Sequence, residues 1–315
     1  MTPTVFIDGE AGTTGLEIRQ RLEGRRDLTI VSIEPEKRKD VEARRALLNE
    51  SDAVVLCLPD EAAREAVGLI EANSVKVIDA STAHRTAPGW TYGLPEMAKG
   101  QREALASAHR IANPGCWPTG FIALMRPLAE AGLVPADWPI SVHGVSGYSG
   151  GGKAMIAEFE DPAAPNHTEV PFRLYAIGLA HKHLPEMQVY GGFRRRPLFA
   201  PAVGRYFKGM LVEVPLQLEA LPGAPTAAQV RDCLAAAYSG EPFVEVASAE
   251  EAAGVATLAP GGLNGTNRMR LYVFANEAAG QARLVALLDN LGKGASGAAV
   301  QNLNLALGLK ETAGL

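Results

Sequence analysis

The stretch "TVFIDGEAGTTG", Thr4–Gly15, decides the fold of the N-terminal part of the chain. Its first residues are apolar and β-branched and predict a strand, and the residues that follow have the spacing of a helix. Gly9, Gly12 and Gly15 lie between the two. Glycines there let the backbone approach a pyrophosphate, and the dipole and free amides of a helix N-terminus favour that anion. The stretch predicts a dinucleotide-binding turn.

The glycine spacing is G-x-x-G-x-x-G, whereas the commoner fingerprint is G-x-G-x-x-G. A plain tight turn would explain the bare pattern as well. The order of strand, glycines and helix at the start of the chain favours the nucleotide site. Thr13 and Thr14, at the start of the helix, complete the predicted cofactor loop.

The alternation of strand and helix continues through the first third of the chain. The apolar runs "LTIVSI", "AVVLCL" and "VKVIDA" predict strands, and helical patterns separate them at 40–49 and 60–72. Continuous apolar strands joined by helices indicate a parallel sheet covered on both faces. We therefore expect an α/β fold that opens with a Rossmann-like parallel-sheet domain.

The pattern changes after residue 116. The runs "YFKGMLVEVPLQLEA" and "RMRLYVFANEA" alternate apolar with polar residues, as half-exposed antiparallel strands do. They predict an α+β second domain. The last segment, "GASGAAVQNLNLALGL", predicts an alanine-rich helix, but its composition does not reveal where the helix packs.

Composition and charge restrict the class of protein. The 315 residues are 47 % hydrophobic and 21 % charged, which is typical of a soluble enzyme and sufficient for two domains. The net charge is −5 and basic residues do not interleave with aromatics, so we expect no nucleic-acid partner. No apolar run approaches the ~20 residues of a membrane span, and the N-terminus lacks a signal-peptide pattern. We expect a cytoplasmic protein without a membrane partner.

The segment after the second predicted strand bears on the choice of cofactor. An acidic residue about 20 positions past the glycines would bind the ribose of NAD, whereas basic residues would hold the extra phosphate of NADP. The sequence "SIEPEKRKD" offers Glu34 for the first and Lys37, Arg38 and Lys39 for the second. We favour NADP(H). A charged surface turn is the alternative.

The segment "RIANPGCWPTG" makes Cys116 the candidate nucleophile. Asn113, Pro114 and Gly115 predict a turn, and a helical pattern follows from about Phe121. A thiolate at a helix start is stabilised by the dipole and by free amides, which could also hold an oxyanion. The other cysteines, Cys57 and Cys233, lie in apolar patterns and are expected to be buried and inert.

A nucleophile of this kind needs a group that carries protons. The segment "LAHKHLPEM" offers His181 and His183, with Glu186 close by to orient one of them. Because cysteines and acidic residues do not cluster around this pair at metal-ligand spacing, we expect no metal site.

The segment "GYSGGGKA" resembles a phosphate loop of nucleotide triphosphatases. Ala154 stands where that loop needs a hydroxyl to hold magnesium, so an ATPase is excluded. Ser146, Gly147, Ser149 and Lys153 still suit a phosphate group on the substrate.

Seven motifs in order give the chain a family resemblance. They are "DGEAGTTG", "VIDASTAHR", "YGLPEM", "NPGCWPTG", "SGYSGGGK", "HKHLPE" and "GASGAAVQNLNL". From Val5 to about Leu309 the chain resembles the short form of the N-acetyl-gamma-glutamyl-phosphate reductases, which are related to the aspartate-semialdehyde dehydrogenases.

The resemblance implies a reaction and a domain plan. The enzymes of that family reduce N-acetyl-glutamyl 5-phosphate with NADPH to the 5-semialdehyde and inorganic phosphate, through a cysteine thioester, in arginine biosynthesis. The implied NADP domain spans 1–115 and 292–315, because the C-terminal helix returns to it. The implied catalytic and oligomerisation domain spans 116–291, and the implied assembly is a homo-dimer or homo-tetramer.

The resemblance also implies roles for individual residues. Cys116 matches the nucleophile and His181 the acid and base. The resemblance adds Ser81 and Asn290 to the cofactor site and Arg85 to the substrate site.

Two alternatives stay open on the sequence. One is an aspartate-semialdehyde dehydrogenase or a related acyl-phosphate reductase with the same covalent chemistry. The other is a non-catalytic NADP-binding regulator, against which the presence of Cys116, His181 and Glu186 argues.

Overall fold

The chain folds into two units, each built around its own sheet. The structure is a computed structural model that describes residues 2–38 and 40–315. One unit comprises the chain up to Gly115 together with Ala295–Leu315, and the other comprises Cys116–Gly294. The break between the units falls directly before Cys116.

The strands are short in the first unit and longer in the second. In chain order they are β1 (Thr4–Asp8), β2 (Thr29–Val31), β3 (Ala53–Leu56), β4 (Lys76–Asp79), β5 (Thr91–Tyr92), β6 (Arg110–Ala112), β7 (Ser141–Gly147), β8 (Phe172–Leu174), β9 (Leu198–Gly204), β10 (Met210–Gln217), β11 (Val244–Val246), β12 (Met269–Asn276) and β13 (Gln281–Leu288).

The helices connect and cover these strands. In chain order they are α1 (Thr13–Leu22), α2 (Val41–Glu50), α3 (Asp60–Leu69), α4 (Gln101–Ser107), α5 (Cys116–Glu130), α6 (Gly152–Glu160), α7 (Leu184–Gly191), α8 (Ala227–Ala237), α9 (Ala249–Ala253) and α10 (Gly297–Ala306). Within residues 2–38 and 40–315, no helix is both long and apolar enough to cross a membrane.

The first unit has the predicted parallel sheet. Over the residues described, its strand order is β2-β1-β3-β4-β6-β5, and all neighbours run parallel. Alternate residues of each strand enter different cores. Val5 and Ile7 pack with α1 and α10, whereas Phe6 packs with the residues of α2 and α3. Both faces of the sheet are therefore buried, which explains the continuous apolar strands.

The C-terminal helix α10 belongs to the first unit. It packs against α1, α4, β3 and β4, and its Val300 and Leu303 are fully buried. Its buried amides also have partners. Asn302 Nδ2 donates to the carbonyl oxygen of Gly93 at 2.8 Å and to Oδ1 of Asn113 at 3.0 Å. The helix thus returns to the Rossmann-like unit, as the family resemblance implied.

The second unit contains a mixed sheet. Its order among the described strands is β11-β12-β13-β10-β7-β9-β8. The long strands β10, β12 and β13 pair antiparallel, as predicted, but β7 with β9 and β11 with β12 are parallel. Apolar alternation reports which face of a strand is buried and carries no information about the direction of its neighbour. Helices α5 and α8 pack on one face of the sheet.

Helix α5 begins earlier than the sequence predicted. It begins at Cys116 instead of about Phe121, and Pro118 lies in its first turn. A proline is tolerated there because the first N–H groups of a helix have no intrahelical acceptor. The apolar face of α5 packs on β10 and β13 of the mixed sheet.

Candidate active site

Cys116 is the first residue of α5 in the second unit. Its side chain is partly exposed, whereas the rest of the first helical turn is buried. A Cβ on Gly294 would lie 2.7 Å from the Cβ of Cys116, so glycine is required for the backbone to pass this close. The thiol therefore lies at a helix N-terminus, where a thiolate is stabilised.

The other two thiols are in unreactive surroundings. Burial raises the pKa of the Cys57 thiol to about 12, and the nearby carboxylates of Asp79 and Asp8 add to this rise. Burial also raises the pKa of Cys233. Because the thiolate is the nucleophilic form, both cysteines remain protonated and inert near neutral pH. The raised pKa values agree with the expected inertness of both thiols, although each side chain is only partly buried.

An aromatic cluster connects α5 to the histidine segment within the second unit. The indole N–H of Trp117 donates to the hydroxyl of Tyr175 at 2.8 Å. The Tyr175 ring lies 5.8 Å from His181, and Phe199 lies 5.1 Å from both His181 and Trp117. Burial raises the pKa of Tyr175, and the charge of Cys116 raises it further. The phenol thus stays protonated beside the candidate nucleophile.

The hydrogen bonds of His181 determine its tautomer. The backbone N–H of His183 donates to Nδ1 of His181 at 3.1 Å. An N–H can only donate, so Nδ1 is the unprotonated nitrogen and the neutral ring carries its proton on Nε2. The side chain of His183 stacks edge-on against His181, with ring centroids 4.6 Å apart. His181 is therefore held by the backbone as well as by its aromatic neighbours.

The connection from β8 to His181 contains unusual backbone conformations. Ala176 and Leu179 have φ angles of 51° and 55°, in the left-handed region that side chains disfavour. The N–H of Leu179 donates to the carbonyl oxygen of Ala176 at 2.9 Å, which closes the turn. Such strain is concentrated at functional sites, where surrounding structure maintains it.

Glu186 lies buried in the first turn of α7. Burial raises the pKa of Tyr190 one turn later, and the charge of Glu186 raises it further. The sequence assigned Glu186 the task of orienting a histidine. That role stays a prediction, and Nδ1 of His181 accepts from the backbone N–H of His183.

The predicted phosphate loop connects β7 to α6. Ser146 is the next-to-last residue of β7, and Ser149 lies in the 3-10 turn Tyr148–Gly151. Both serines are buried. Asn290 lies in this unit, where its Nδ2 donates to Ser149 Oγ at 3.0 Å and its Oδ1 accepts from the N–H of Gly209 at 2.8 Å. Asn290, which the sequence assigned to the cofactor, braces this loop.

The backbone amide of Gly147 is not free, although the sequence predicted that it would be available to a phosphate. Its N–H donates to the carbonyl oxygen of Gly209 at 2.9 Å and so is not available to a phosphate. A Cβ at Gly147 would lie 2.6 Å from the carbonyl oxygen of Phe207, so the residue is glycine for steric reasons. Lys153 is exposed in the first turn of α6, where its ammonium can reach a bound anion.

The glycine loop of the first unit is built for close backbone approach. Gly9 has φ +87°, and a Cβ there would lie 2.4 Å from the carbonyl oxygen of Cys57. A Cβ at Gly15 would lie 2.6 Å from the carbonyl oxygen of Gly9. Gly12 is the N-cap of α1, and Thr13 and Thr14 open the helix without a side-chain cap. The amides of this first turn suit an anion.

The basic residues near the end of β2 have different partners. Lys37 pairs with Glu34 at 2.8 Å, and both side chains are mostly exposed. Arg38 instead reaches the carboxylate of Glu10 in the glycine loop at 3.4 Å. Lys39 lies outside the described residues.

Sequence reasoning missed two donors at the same place. Arg19, on α1, donates to Glu10 at 2.8 Å and to the hydroxyl of Ser32 at 2.7 Å. Ser32 directly follows β2, the position that an acidic residue occupies in many NAD enzymes. Arg19 lies one helical turn after Gly15 on α1, and this spacing is the signal that could have indicated its place beside the glycine loop.

Ser81 and Arg85 follow β4 in the first unit. The Ser81 hydroxyl donates to buried Asp79 at 2.7 Å, and His84 Nδ1 lies 2.6 Å from the same carboxylate. Arg85 Nε donates to the carbonyl oxygen of Asn113 at 3.0 Å. The motif "VIDASTAHR" is thus a hydrogen-bonded loop that braces the turn before Cys116. Ser81 and Arg85, the predicted ligands, lie within it.

Over residues 2–38 and 40–315, histidine, cysteine and acidic side chains do not assemble into a group of three or more that could hold a metal ion.

Both units match domains of one protein family. Residues 4–108 match the family described as "Semialdehyde dehydrogenase, NAD binding domain". Residues 116–290 match "Semialdehyde dehydrogenase, dimerisation domain". The two matches together span most of the chain and correspond to the two structural units.

Two curated relatives of more than 50 % identity are both named as the same enzyme. The chain is 54 % identical over 309 residues to an N-acetyl-gamma-glutamyl-phosphate reductase of Brucella anthropi, covering 98 % of this chain and 99 % of that protein. It is 53 % identical to the same enzyme of Brucella ovis, covering 98 % and 100 %.

A solved structure shares the fold at low identity. The aspartate semialdehyde dehydrogenase II of Vibrio cholerae superimposes with a TM-score of 0.72, at 19 % identity, over 98 % of this chain and 99 % of that one. At this identity the likeness concerns the fold alone.

Proposed function

The chain belongs to the family of N-acetyl-gamma-glutamyl-phosphate reductases, and we propose that it catalyses the NADPH-dependent reduction of N-acetyl-glutamyl 5-phosphate. The products are N-acetylglutamate 5-semialdehyde and inorganic phosphate, and the reaction serves arginine biosynthesis. The observation that carries the proposal is Cys116 at the start of α5, joined through Trp117 and Tyr175 to a backbone-oriented His181.

The first step is acyl transfer to the thiol. The Cys116 thiolate attacks the acyl carbon, the C–S bond forms, the C–O bond to phosphate breaks, and phosphate leaves. The helix N-terminus stabilises the thiolate, and the same amides can hold the oxyanion of the tetrahedral intermediate. The carboxyl group, which resists direct reduction, is thereby converted to a thioester.

His181 is proposed to manage the protons. Because Nδ1 accepts from the backbone, Nε2 is the atom that exchanges protons with the substrate oxygen. It can donate to the acyl oxygen while negative charge develops there and recover the proton when the carbon–sulfur bond breaks. Positioned acid–base catalysis contributes typically ~100 to 10,000-fold. Glu186, in the first turn of α7, is the third proposed catalytic residue, and its proposed role is to orient a histidine.

We propose NADP(H) as the cofactor, held by the glycine loop and by the basic residues at the end of β2. When bound, it supplies the hydride that reduces the thioester to the aldehyde. The residues present fit the group, since Gly9, Gly12 and Gly15 allow close backbone approach. Ser32 after β2, together with Arg19 and Arg38, favours NADP over NAD.

The substrate phosphate is proposed to lie against the loop before α6. Ser146 and Ser149 provide hydroxyls and Lys153 provides a positive charge, while Gly147 lets the loop pass close to the Phe207–Lys208 backbone and so shapes it. Arg85 is proposed to contact the substrate, while its Nε and Nη2 donate to the carbonyl oxygens of Asn113 and Ala80. Ser81 and Asn290 are proposed to contact the cofactor, while their side chains also hydrogen-bond to Asp79 and Ser149 respectively.

The assembly and location follow from the same proposal. The match of 116–290 to a dimerisation domain supports a homo-oligomer, a dimer or a tetramer, joined through the second unit. An enzyme of amino-acid biosynthesis that uses NADPH is proposed to work in the cytoplasm.

The test is the reverse reaction. Purified protein is assayed for phosphate-dependent reduction of NADP with N-acetylglutamate semialdehyde, beside aspartate semialdehyde, and the assay is repeated after thiol alkylation. The proposal expects activity with the acetylated substrate that needs phosphate and disappears on alkylation. Activity with aspartate semialdehyde alone would assign the rival reaction, and binding of NADP without turnover of either aldehyde would indicate a regulator.

A further inference from the structure

Three donors in the first unit converge on one carboxylate. Arg19 Nη1 lies 2.8 Å from Glu10 Oε2, the Ser32 hydroxyl lies 3.2 Å from the same oxygen, and Arg38 Nη2 lies 3.4 Å from Oε1. Arg19 also donates to Ser32 at 2.7 Å. Both oxygens of Glu10 are therefore occupied by groups that come from α1, from the end of β2 and from the turn after it.

The donor set has the composition of a phosphate site. Two guanidinium groups and a hydroxyl are the groups with which proteins hold phosphate oxygens. They surround the position, after the second strand of a Rossmann-like sheet, where the 2′-phosphate of NADP is bound. The carboxylate of Glu10, which projects from the glycine loop, occupies these donors in the same way that a phosphate would.

A second ion pair in the same unit is largely buried and serves as a comparison for the exposure of the Glu10 pairs. Arg44 and Asp8 lie 2.9 Å apart, with side chains only 11 % and 9 % exposed. Arg19 and Arg38 are 43 % and 44 % exposed, whereas the Glu10 side chain is 15 % exposed. Solvent, and with it a dissolved anion, reaches the two arginines that bind Glu10. Ion pairs with an arginine exposed to this degree contribute little to stability, and the arginine remains accessible to a second anion.

We propose that Glu10 competes with the 2′-phosphate of NADP for Arg19, Ser32 and Arg38, and so sets the affinity of the enzyme for 2′-phosphorylated nucleotides. The inference rests on the proposed function, because it concerns the cofactor assigned there. Glu10 must leave these donors when the phosphate binds, or remain close to it as a like charge. In either case its negative charge weakens binding of the 2′-phosphate and leaves the remainder of the nucleotide unaffected.

The experiment measures equilibrium binding without turnover. Adenosine 2′,5′-bisphosphate and adenosine 5′-monophosphate differ only in the 2′-phosphate, and each is titrated calorimetrically into the full-length protein. The proteins are the wild type, Glu10→Gln and the control Glu17→Gln. Glu17 lies on α1 and forms a salt bridge with Arg21 at 2.9 Å, so its change removes the same charge outside the three-donor cluster.

Glu10→Gln is expected to bind the bisphosphate about tenfold more tightly, equivalent to ~1.4 kcal/mol, with unchanged affinity for the monophosphate. Glu17→Gln is expected to bind both nucleotides as the wild type does. The gain in Glu10→Gln is also expected to shrink at high ionic strength, because salt screens exposed charges. Arg19→Gln is expected to lose the preference for the bisphosphate.

Three results would overturn the proposal. Weaker bisphosphate binding by Glu10→Gln would show that Glu10 positions the arginines for the phosphate. Equal changes for both nucleotides, or no change, would return Glu10 to a structural role. A wild type that does not prefer the bisphosphate would refute NADP as the cofactor and this inference with it. Failure of the semialdehyde assay alone would refute the proposed reaction and leave the binding result standing. Unchanged monophosphate affinity verifies that each variant is folded.

Discussion

The hydroxyl of Tyr175 accepts a hydrogen bond from the indole N–H of Trp117 at 2.8 Å. Trp117 follows the candidate nucleophile in α5, and Tyr175 lies six residues before His181 and packs on its ring. This hydrogen bond therefore connects the helix that presents the thiol to the segment that presents the histidine.

Tyr175→Phe is expected to lower both stability and turnover. The buried indole N–H loses its acceptor, which costs about 1–3 kcal/mol of unfolding free energy. Displacement of the His181 segment is expected to lower kcat by about tenfold to hundredfold. Denaturant unfolding and steady-state kinetics measure the two effects.

Tyr206→Phe is the matched control for this change. In the part of the chain that the structure describes, the buried hydroxyl of Tyr206 has no hydrogen-bond partner. Its removal is expected to leave stability unchanged or raised and kcat unaffected. A Tyr175→Phe variant that behaves like this control would show that the bond to Trp117 does not support the site.

Alkylation is expected to select Cys116. At pH 8 a thiol of pKa about 12, such as Cys57, is ionised in about one molecule in ten thousand. Iodoacetamide followed by peptide mass mapping is expected to label Cys116 first, with loss of activity in proportion. Cys116→Ser is expected to bind NADP normally, to turn over no substrate and to resist rapid labelling. Rapid labelling of Cys57 or Cys233 in that variant would contradict the assignment.

The two histidines are expected to differ in importance. His181→Asn removes Nε2 and is expected to lower kcat by about 100-fold or more. His183→Asn keeps the backbone N–H that orients His181, so a smaller loss is expected. Steady-state kinetics of both variants, with NADP affinity as the check on folding, decide the order. A larger loss in His183→Asn would transfer the acid–base role to His183.

Lys153→Ala is expected to raise the KM for phosphate in the reverse reaction by about tenfold, because an exposed ammonium in the first turn of α6 is lost. The KM for the aldehyde is expected to change little. Lys310→Ala, an exposed lysine of the first unit, removes the same charge as a control. An unchanged KM for phosphate in Lys153→Ala would leave the loop with a structural role only.

Asn302→Ala is expected to destabilise the first unit. The change removes two donated hydrogen bonds, to the carbonyl oxygen of Gly93 and to Asn113, and leaves both acceptors buried. The expected loss in unfolding free energy is about 1–3 kcal/mol. Asn276→Ala serves as the control, since its side chain caps an exposed 3-10 turn and a loss below about 1 kcal/mol is expected. Equal losses in both variants would contradict the bracing role of α10.

The sequence by itself determined the features that depend on neighbouring residues. The apolar run of β1, the glycines after it and the start of α1 lie within 20 residues, and their geometry follows from local conformational preferences. The same holds for Cys116, because the turn before it and the helix after it are both encoded locally. The parallel sheet follows from such local patterns, and the family was identified from seven motifs in their order along the chain.

Only the tertiary structure decided the contacts between distant residues. Glu10 forms an ion pair with Arg38, Trp117 donates a hydrogen bond to Tyr175, and Asn302 donates one to Gly93. Likewise, the amide of Gly147 proved to be engaged because a segment 62 residues later pairs with it. Such contacts depend on how strands and helices pack, and a residue's own neighbours in the chain do not encode them. The site residues predicted from the sequence had local signatures or matched a family motif, while their partners became visible only in the fold.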